Sequence, residues 1–420
     1  MVLRILLPTL WVLAGVACQP GVFDRDVPRA RDAGAGGGDA GKAAAAGSGG
    51  SVGGAGGAGA GGPGAGGAGA GVAGAGEQAS CERADPDRAV QLVGMHDLGS
   101  VEQPQAVALR VPGPITWIGT GKLVWLFPKT GLDGVSARAG APSNHPSAAF
   151  VGRKEPGRLD EPLGADGLPE PFFAPAGVSP DVELWPTALL RLAPDDQGEA
   201  TTGAVVIVQR VAADFSYDVL STRVAVDALS TQEPLTPLFM GNDPRFSLGA
   251  YRGGEFGYLY ACSEDTAVAD RADPQRYPCK VARAPVTELD KREAWRAYHT
   301  SDKQWATDLT SAEPVLFGAS NSLSVSHHSY LGRYLAVHSR WFSNEIVVQS
   351  GERPWGPWRV ELTIKLPAPP AGVVQFALEQ PSLASAECES AIYISYLWPL
   401  AADSVFPSRA EIRLLKVDLK

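Results

Sequence analysis

Few of the residues able to do chemistry stand in a recognisable pattern. Of six histidines only His327 and His328 adjoin. Neighbours on a strand point to opposite faces, so the two cannot readily chelate one metal. Strand alternation groups His327 with Leu323 and Val325, as a packing residue. It groups His328 with Ser324 and Ser326, as a ligand-facing one. No Cys-x-x-Cys or His-x-x-x-His spacing occurs, so neither a metal nor another cofactor is expected. From Cys81 onward there is no Gly-x-Ser-x-Gly nucleophile elbow. The string Gly119-Thr120-Gly121-Lys122-Leu123 lacks the upstream glycine and the following Ser or Thr of a phosphate loop.

The thiols point to an address rather than to a nucleophile. The first residues carry one Arg, then an apolar run from Ile5 to Ala14 that is too short to span a bilayer, then small residues. This is the layout of a secretory signal. Cys18 follows Gly15-Val16-Ala17, as in a bacterial lipobox, although Gly15 stands where Leu is usual. The alternative is ordinary signal cleavage beside an incidental cysteine. The chain has five cysteines, and lipidation of Cys18 would leave the even set Cys81, Cys262, Cys279 and Cys388. Gln19 follows Cys18 rather than the Asp associated with inner-membrane retention, so an outer-membrane lipoprotein is expected. Four cysteines allow three connectivities. Cys262–Cys279 is favoured, across the strand pair Tyr258–Cys262 and Cys279–Arg283. Cys81–Cys388 would then staple the start of the folded part to its last blade.

These residues need a scaffold, and composition delimits it. Between Ala33 and Gly76, 37 of 44 residues are Gly or Ala. Such a segment cannot bury enough surface to offset the entropy of ordering it. The expected layout is a signal peptide at 1–17, a lipid-anchored flexible tether at 18–80 and a folded domain at 81–420. A coil of the tether's length reaches roughly 40–50 Å. Net charge is −10, with 36 basic and 46 acidic residues and no basic stripe, which argues against nucleic acid as a partner.

The folded part reads as short strands separated by Pro, Gly, Asp and Ser. They include 122–127, 204–211, 255–262, 279–284, 322–328, 334–339, 345–351, 391–398 and 412–419. Ala204 to Val211 is almost continuously apolar, as in a strand buried on both faces. Only Val286 to His299 could hold a short helix. Many strands without helical crossovers imply an all-β fold. For 340 residues a five-bladed β-propeller fits better than a sandwich, at about 68 residues a blade. The strands group near 95–150, 180–230, 240–290, 295–360 and 370–420.

Several segments together resemble domain-of-unknown-function family 4185. They are Trp185-Pro186, Tyr258 to Cys262 paired with Cys279 to Arg283, Ser322 to Tyr334, and Pro354-Trp355-Gly356-Pro357-Trp358. The likeness covers nearly all of 95–420, and the tethered lipoprotein layout is similar to that of myxobacterial members. The resemblance implies a five-bladed propeller related to glycoside hydrolases that cut D-arabinan with funnel carboxylates. Glycosidic hydrolysis needs two such groups. Where the family carries aspartates, this chain reads Pro114 to Gly119 and Phe127-Pro128-Lys129-Thr130, and the family's late His-Pro-Glu-Leu is Gln380-Pro381-Ser382-Leu383. A lysine cannot replace a carboxylate acting as nucleophile or base.

The expectation is therefore a scaffold whose funnel binds a glycan or small acidic ligand without efficient turnover. By the resemblance Lys129, Trp185 and Gln380 belong to the ligand site, together with His328. Most of the other tryptophans are expected to pack between blades. A monomer is expected, touching the membrane only through its lipid. One alternative is an active glycoside hydrolase with relocated carboxylates, for which Glu379, Asp133 and Glu183 are the candidates. A pair about 5–5.5 Å or 6.5–9.5 Å apart would mark it. Another is a protein-interaction platform with a plugged channel.

Overall fold

The computed structural model describes residues 83–85, 88–117, 123–132, 144–173, 182–192, 203–212, 216–225, 228–231, 233–320, 322–340, 343–366, 377–384, 389–400 and 409–420. The expected signal peptide and tether lie outside these, as do Cys18, Cys81, Asp133 and Cys388. Among the described residues no helix is long and apolar enough to cross a membrane.

The chain is all-β and arranged as a five-bladed propeller. It opens with strand β1 (Leu92–Ser100). Blade one holds β2 (Val107–Val111), β3 (Ile115–Trp117), β4 (Leu123–Leu132), β5 (Asn144–Val151) and β6 (Leu159–Asp160). Blade two holds β7 (Val182–Arg191), β8 (Ala204–Ala212), β9 (Tyr217–Val224) and β10 (Thr236–Phe239). Blade three holds β11 (Gly249–Gly253), β12 (Phe256–Cys262), β13 (Pro278–Pro285), β14 (Arg296–His299), β15 (Gln304–Ala306) and β16 (Pro314–Phe317). Blade four holds β17 (Ser324–His328), β18 (Arg333–Ser339), β19 (Glu345–Gly351) and β20 (Trp358–Lys365). Blade five holds β21 (Ala377–Glu379), β22 (Ala391–Pro399) and β23 (Ala410–Leu419), and β1 completes it as its outer strand.

That last pairing closes the ring. β1 runs antiparallel to β23 from Leu92↔Leu419 to Ser100↔Arg413. Gln91 and Lys420 exchange backbone hydrogen bonds of 2.9 and 3.0 Å. Before β1 the chain is clasped to blade four. Ala84 N–H donates to Tyr330 O, Val90 N–H to a Glu361 carboxylate oxygen, and the Arg333 guanidinium to Arg88 O.

Strand alternation explains why blades rather than a single sandwich form. On β8, Val205 and Ile207 pack with Leu259 and Ala282 of blade three, while Val206 and Val208 pack with Val124 and Leu126 of blade one. On β4, Leu123, Trp125 and Phe127 turn the other way, onto Ile412 and Leu414 of blade five. A strand apolar on both faces must be covered on both sides, and neighbouring blades cover it. Each such side chain, fully buried, stabilises by about 1.5–3 kcal/mol. Further clusters fill the seams between blades three and four and between four and five.

Three expectations need correction. The first blade begins at Val107, because 92–100 belongs to blade five. Blade three runs on to Phe317, because β14, β15 and β16 add to its sheet. The segment 286–299 forms two single 3-10 turns, Val286–Glu288 and Arg292–Ala294, and then β14. The Cys262–Cys279 disulfide is present, joining directly opposed residues of β12 and β13.

Candidate functional site

The five blades converge on a central cavity of about 640 Å³. Its wall takes the segment 111–116 from blade one, β7 from blade two, β11 from blade three, β17 from blade four and β21 from blade five. Inner strands approach closely there. A Cβ added to Gly249 would lie 2.8 Å from Leu323 Cγ and 3.0 Å from Leu323 O, so glycine lets blades three and four meet.

Glu379 is the single carboxylate among the described residues of this wall. It ends the three-residue β21 and is 4% exposed. Ser326 Oγ on β17 lies 3.0 Å from both of its carboxylate oxygens, and Glu379 N–H donates to Ser324 Oγ at 3.0 Å. Burial pushes its pKa up to about 8, against the opposing pull of the Ser326 hydrogen bond. The upward shift favours the protonated, neutral acid, which can donate its proton in a hydrogen bond.

Three guanidinium groups share the wall, those of Arg153, Arg191 and Arg252. Arg153 Nε donates to Ser382 O at 3.0 Å. Burial, helped by the positive charge of Arg191, lowers the pKa of Arg252 to about 10. Two cations are thus held near each other in a partly desolvated cleft. Hydroxyls of Thr187, Ser324, Ser326 and Ser329 and the rings of Trp185 and Tyr251 complete the lining.

The expected site residues separate into two groups. Trp185 and Gln380 line the cavity, as Glu379 does. Gln380 is fully buried and holds blade five to blade one. Its amide nitrogen donates to Gly113 O and Ser395 Oγ at 2.8 and 2.7 Å, and its oxygen accepts from Ile115 N–H at 2.9 Å. Lys129 and Glu183 lie off the cavity wall and bind each other, with Nζ 3.1 and 3.3 Å from the two carboxylate oxygens. Trp185 Nε1–H also donates to Glu183, at 2.8 Å.

The two histidines keep their expected faces, but their exposures are the reverse of the expected ones. His327 is exposed, packs edge-on against Tyr334 with ring centroids 5.0 Å apart, and lines the funnel. His328 is 8% exposed and lines a smaller cavity of about 360 Å³ between blades four and five, which shares Glu379 and Ser326 with the funnel. Alternation assigns faces but not how far the core extends along a strand, and His327 stands where β17 runs past it. The three arginines and Ser326 were not singled out from the sequence. They come from separate blades, and no local pattern joins them. Among the described residues no three His, Cys, Asp or Glu side chains gather as a metal-binding group.

Fold and site together give a propeller whose funnel wall, among the described residues, carries three arginines and one buried acid. Residues 214–410 match the family model described as "Domain of unknown function (DUF4185)". Among solved structures the chain is similar to a GH43_1 enzyme from Xanthomonas citri, at 15% identity and a TM-score of 0.43, covering 75% of this chain and 88% of that one. It is also similar to a family 117 glycoside hydrolase from the marine bacterium Zobellia galactanivorans, at 10% identity and a TM-score of 0.41, covering 77% and 90%. An exo-beta-1,3-galactanase from Phanerochaete chrysosporium, solved with beta-1,3-galactotriose, matches at 11% identity and a TM-score of 0.42, covering 77% and 64%. These distant likenesses assign no activity to this chain. No curated protein matches the sequence.

Proposed function

We propose that the funnel binds an acidic glycan, or a small acidic ligand of the same chemistry, without efficient turnover. One observation carries this reading: three arginines and a single, buried carboxylate share the described wall of the central cavity. Guanidinium groups bind carboxylate or sulfate oxygens through charge-assisted hydrogen bonds. The hydroxyl groups match sugar hydroxyls, and Trp185 and Tyr251 offer faces for sugar C–H surfaces. Hydrolysis needs a second carboxylate to act with Glu379. Glu183, the other described candidate, is engaged by Lys129 and Trp185 away from the wall. The same reading places the domain on a tether at 18–80, anchored through Cys18 in the outer membrane of an exporting bacterium.

A second reading is favoured by the state of Glu379. A carboxyl held protonated near neutral pH is what a general acid requires. An active hydrolase would pair it with a carboxylate such as Asp133.

Titration of the purified protein with oligogalacturonate, beside neutral arabinan and galactan oligosaccharides, separates the two. The expected result is salt-sensitive binding of the acidic oligomer without new reducing ends, weakened about tenfold or more by Arg252→Ala. Steady release of reducing ends that Glu379→Gln abolishes would establish the hydrolase instead. No binding of acidic oligomers would reject the cationic-funnel reading.

A further inference from the structure

A second cavity lies away from the funnel. About 880 Å³ opens between the outer strands of blades three and four. Tyr298 of β14 and the tryptophans Trp355 and Trp358 wall it. Tyr298 and Trp355 have ring centroids 5.9 Å apart, and Trp355 is braced edge-on by Trp305 at 5.4 Å. Trp355 and Trp358 are each only partly buried. Aromatic faces left half open in this way suit the C–H face of a sugar ring.

Three buried polar atoms of the lining residues have no hydrogen-bond partner: Tyr277 Oη, Trp358 Nε1 and His338 Nδ1. That the last is a donor follows from a proton assignment at His338, which is 1% exposed. Gln349 Nε2 donates to Phe317 O at 2.8 Å and also faces His338 Nε2 at 3.0 Å. The amide nitrogen has only protons to offer, so His338 Nε2 must accept. Burial holds the imidazole neutral by lowering its pKa to about 4. Its one proton therefore sits on Nδ1, which makes no hydrogen bond. The Ser339 backbone pulls the ring's pKa the other way, but Nδ1 has no partner within hydrogen-bond geometry. A buried donor left unsatisfied costs about 1–3 kcal/mol, so three such polar groups beside one cavity call for an explanation.

We propose that this crevice is a second saccharide site, taking a neutral sugar unit whose oxygens accept from the indole and imidazole N–H groups. Neutrality follows from the rim. Cations (Arg271, Lys303, Arg353) are interspersed with anions (Asp273, Glu352), and Arg340 is already paired with Glu345 at 3.0 Å. No single-sign field selects a charged ligand, in contrast to the funnel. A proline-rich peptide also seeks aromatic grooves. This site does not depend on the funnel reading.

The test is calorimetric titration of the purified protein with galactobiose, xylobiose and cellobiose. At least one should bind, and saturating oligogalacturonate should not displace it. Trp358→Phe keeps the ring and removes only the N–H, and should weaken binding fivefold or more while near-ultraviolet circular dichroism stays native. Trp355→Ala should abolish it. The proposal is overturned by no saturable response to any of the three sugars. It is overturned equally by unchanged affinity in both variants, by displacement from the funnel, or by a decaproline peptide binding this crevice in place of sugars.

Discussion

Ser326 and Glu379 face each other across the seam between blades four and five, the serine oxygen 3.0 Å from both carboxylate oxygens. One hydroxyl stabilises an ionised carboxylate far less than the water that burial removes, so the acid keeps its proton. Stability must then depend on pH. The folded pKa, about 8, is above the unfolded value of about 4.3. Stability from this group is full below about pH 4 and falls as pH rises towards 8. Glu379→Gln should flatten that slope and raise stability at pH 8 by on the order of 2–4 kcal/mol. Chemical denaturation of both proteins from pH 4 to 9 checks it, and parallel curves would contradict it.

Lys129 and Glu183 join blades one and two through a pair that is buried at the lysine end and open at the carboxylate end. Lys129→Ala should cost about 1–2 kcal/mol of stability, a figure kept low by the 42% exposure of the Glu183 side chain. Acidic-ligand affinity should change less than threefold, because neither residue lines the funnel. Thermal denaturation and the oligogalacturonate titration read the two effects separately.

Cys262 and Cys279 close a loop with a sequence separation of 17. By chain entropy the bond stabilises by about 3 kcal/mol. The Cys262→Ala/Cys279→Ala double variant should show that loss in urea denaturation, and loss of the native fold's protease resistance should begin in blade three.

Gly249 sits where β11 of blade three meets Leu323 of blade four. Gly249→Ala should cost about 1–3 kcal/mol, since backbone as well as side-chain atoms must move. Leu323→Ala in the same chain should recover part of the side-chain clash, and a double-mutant cycle measures the coupling.

The strongest strands were legible because their residues carry the signal locally. The run 204–211 is apolar on both faces, and both faces turned out to be covered. The opposed cysteines of β12 and β13 were legible for the same reason. The closing strand was not. Leu92, Val93, Met95 and Leu98 are all more than 40% exposed, so no alternation marks the strand, and its partner lies over 300 residues away. Lys129 was placed in the funnel by likeness alone. It falls in the irregularity of β4 between Phe127 and Thr130, and such bulges re-aim side chains. Glu379 was reached only as a candidate carboxylate of the alternative hydrolase reading, because its strand is three residues long and carries no pattern of its own.

The exchange of hydrogen bonds between Gln91 and Lys420 makes the origin of the ring arbitrary. The two chain positions lie side by side on antiparallel strands, the geometry that a tight hairpin turn spans. A circular permutant that links Lys420 to Gln91 by a short turn, and is opened at an exposed connection between two other blades, would build blade five from consecutive strands. The stapling now done by non-covalent pairing would become covalent, while the cost of an open end would pass to another seam.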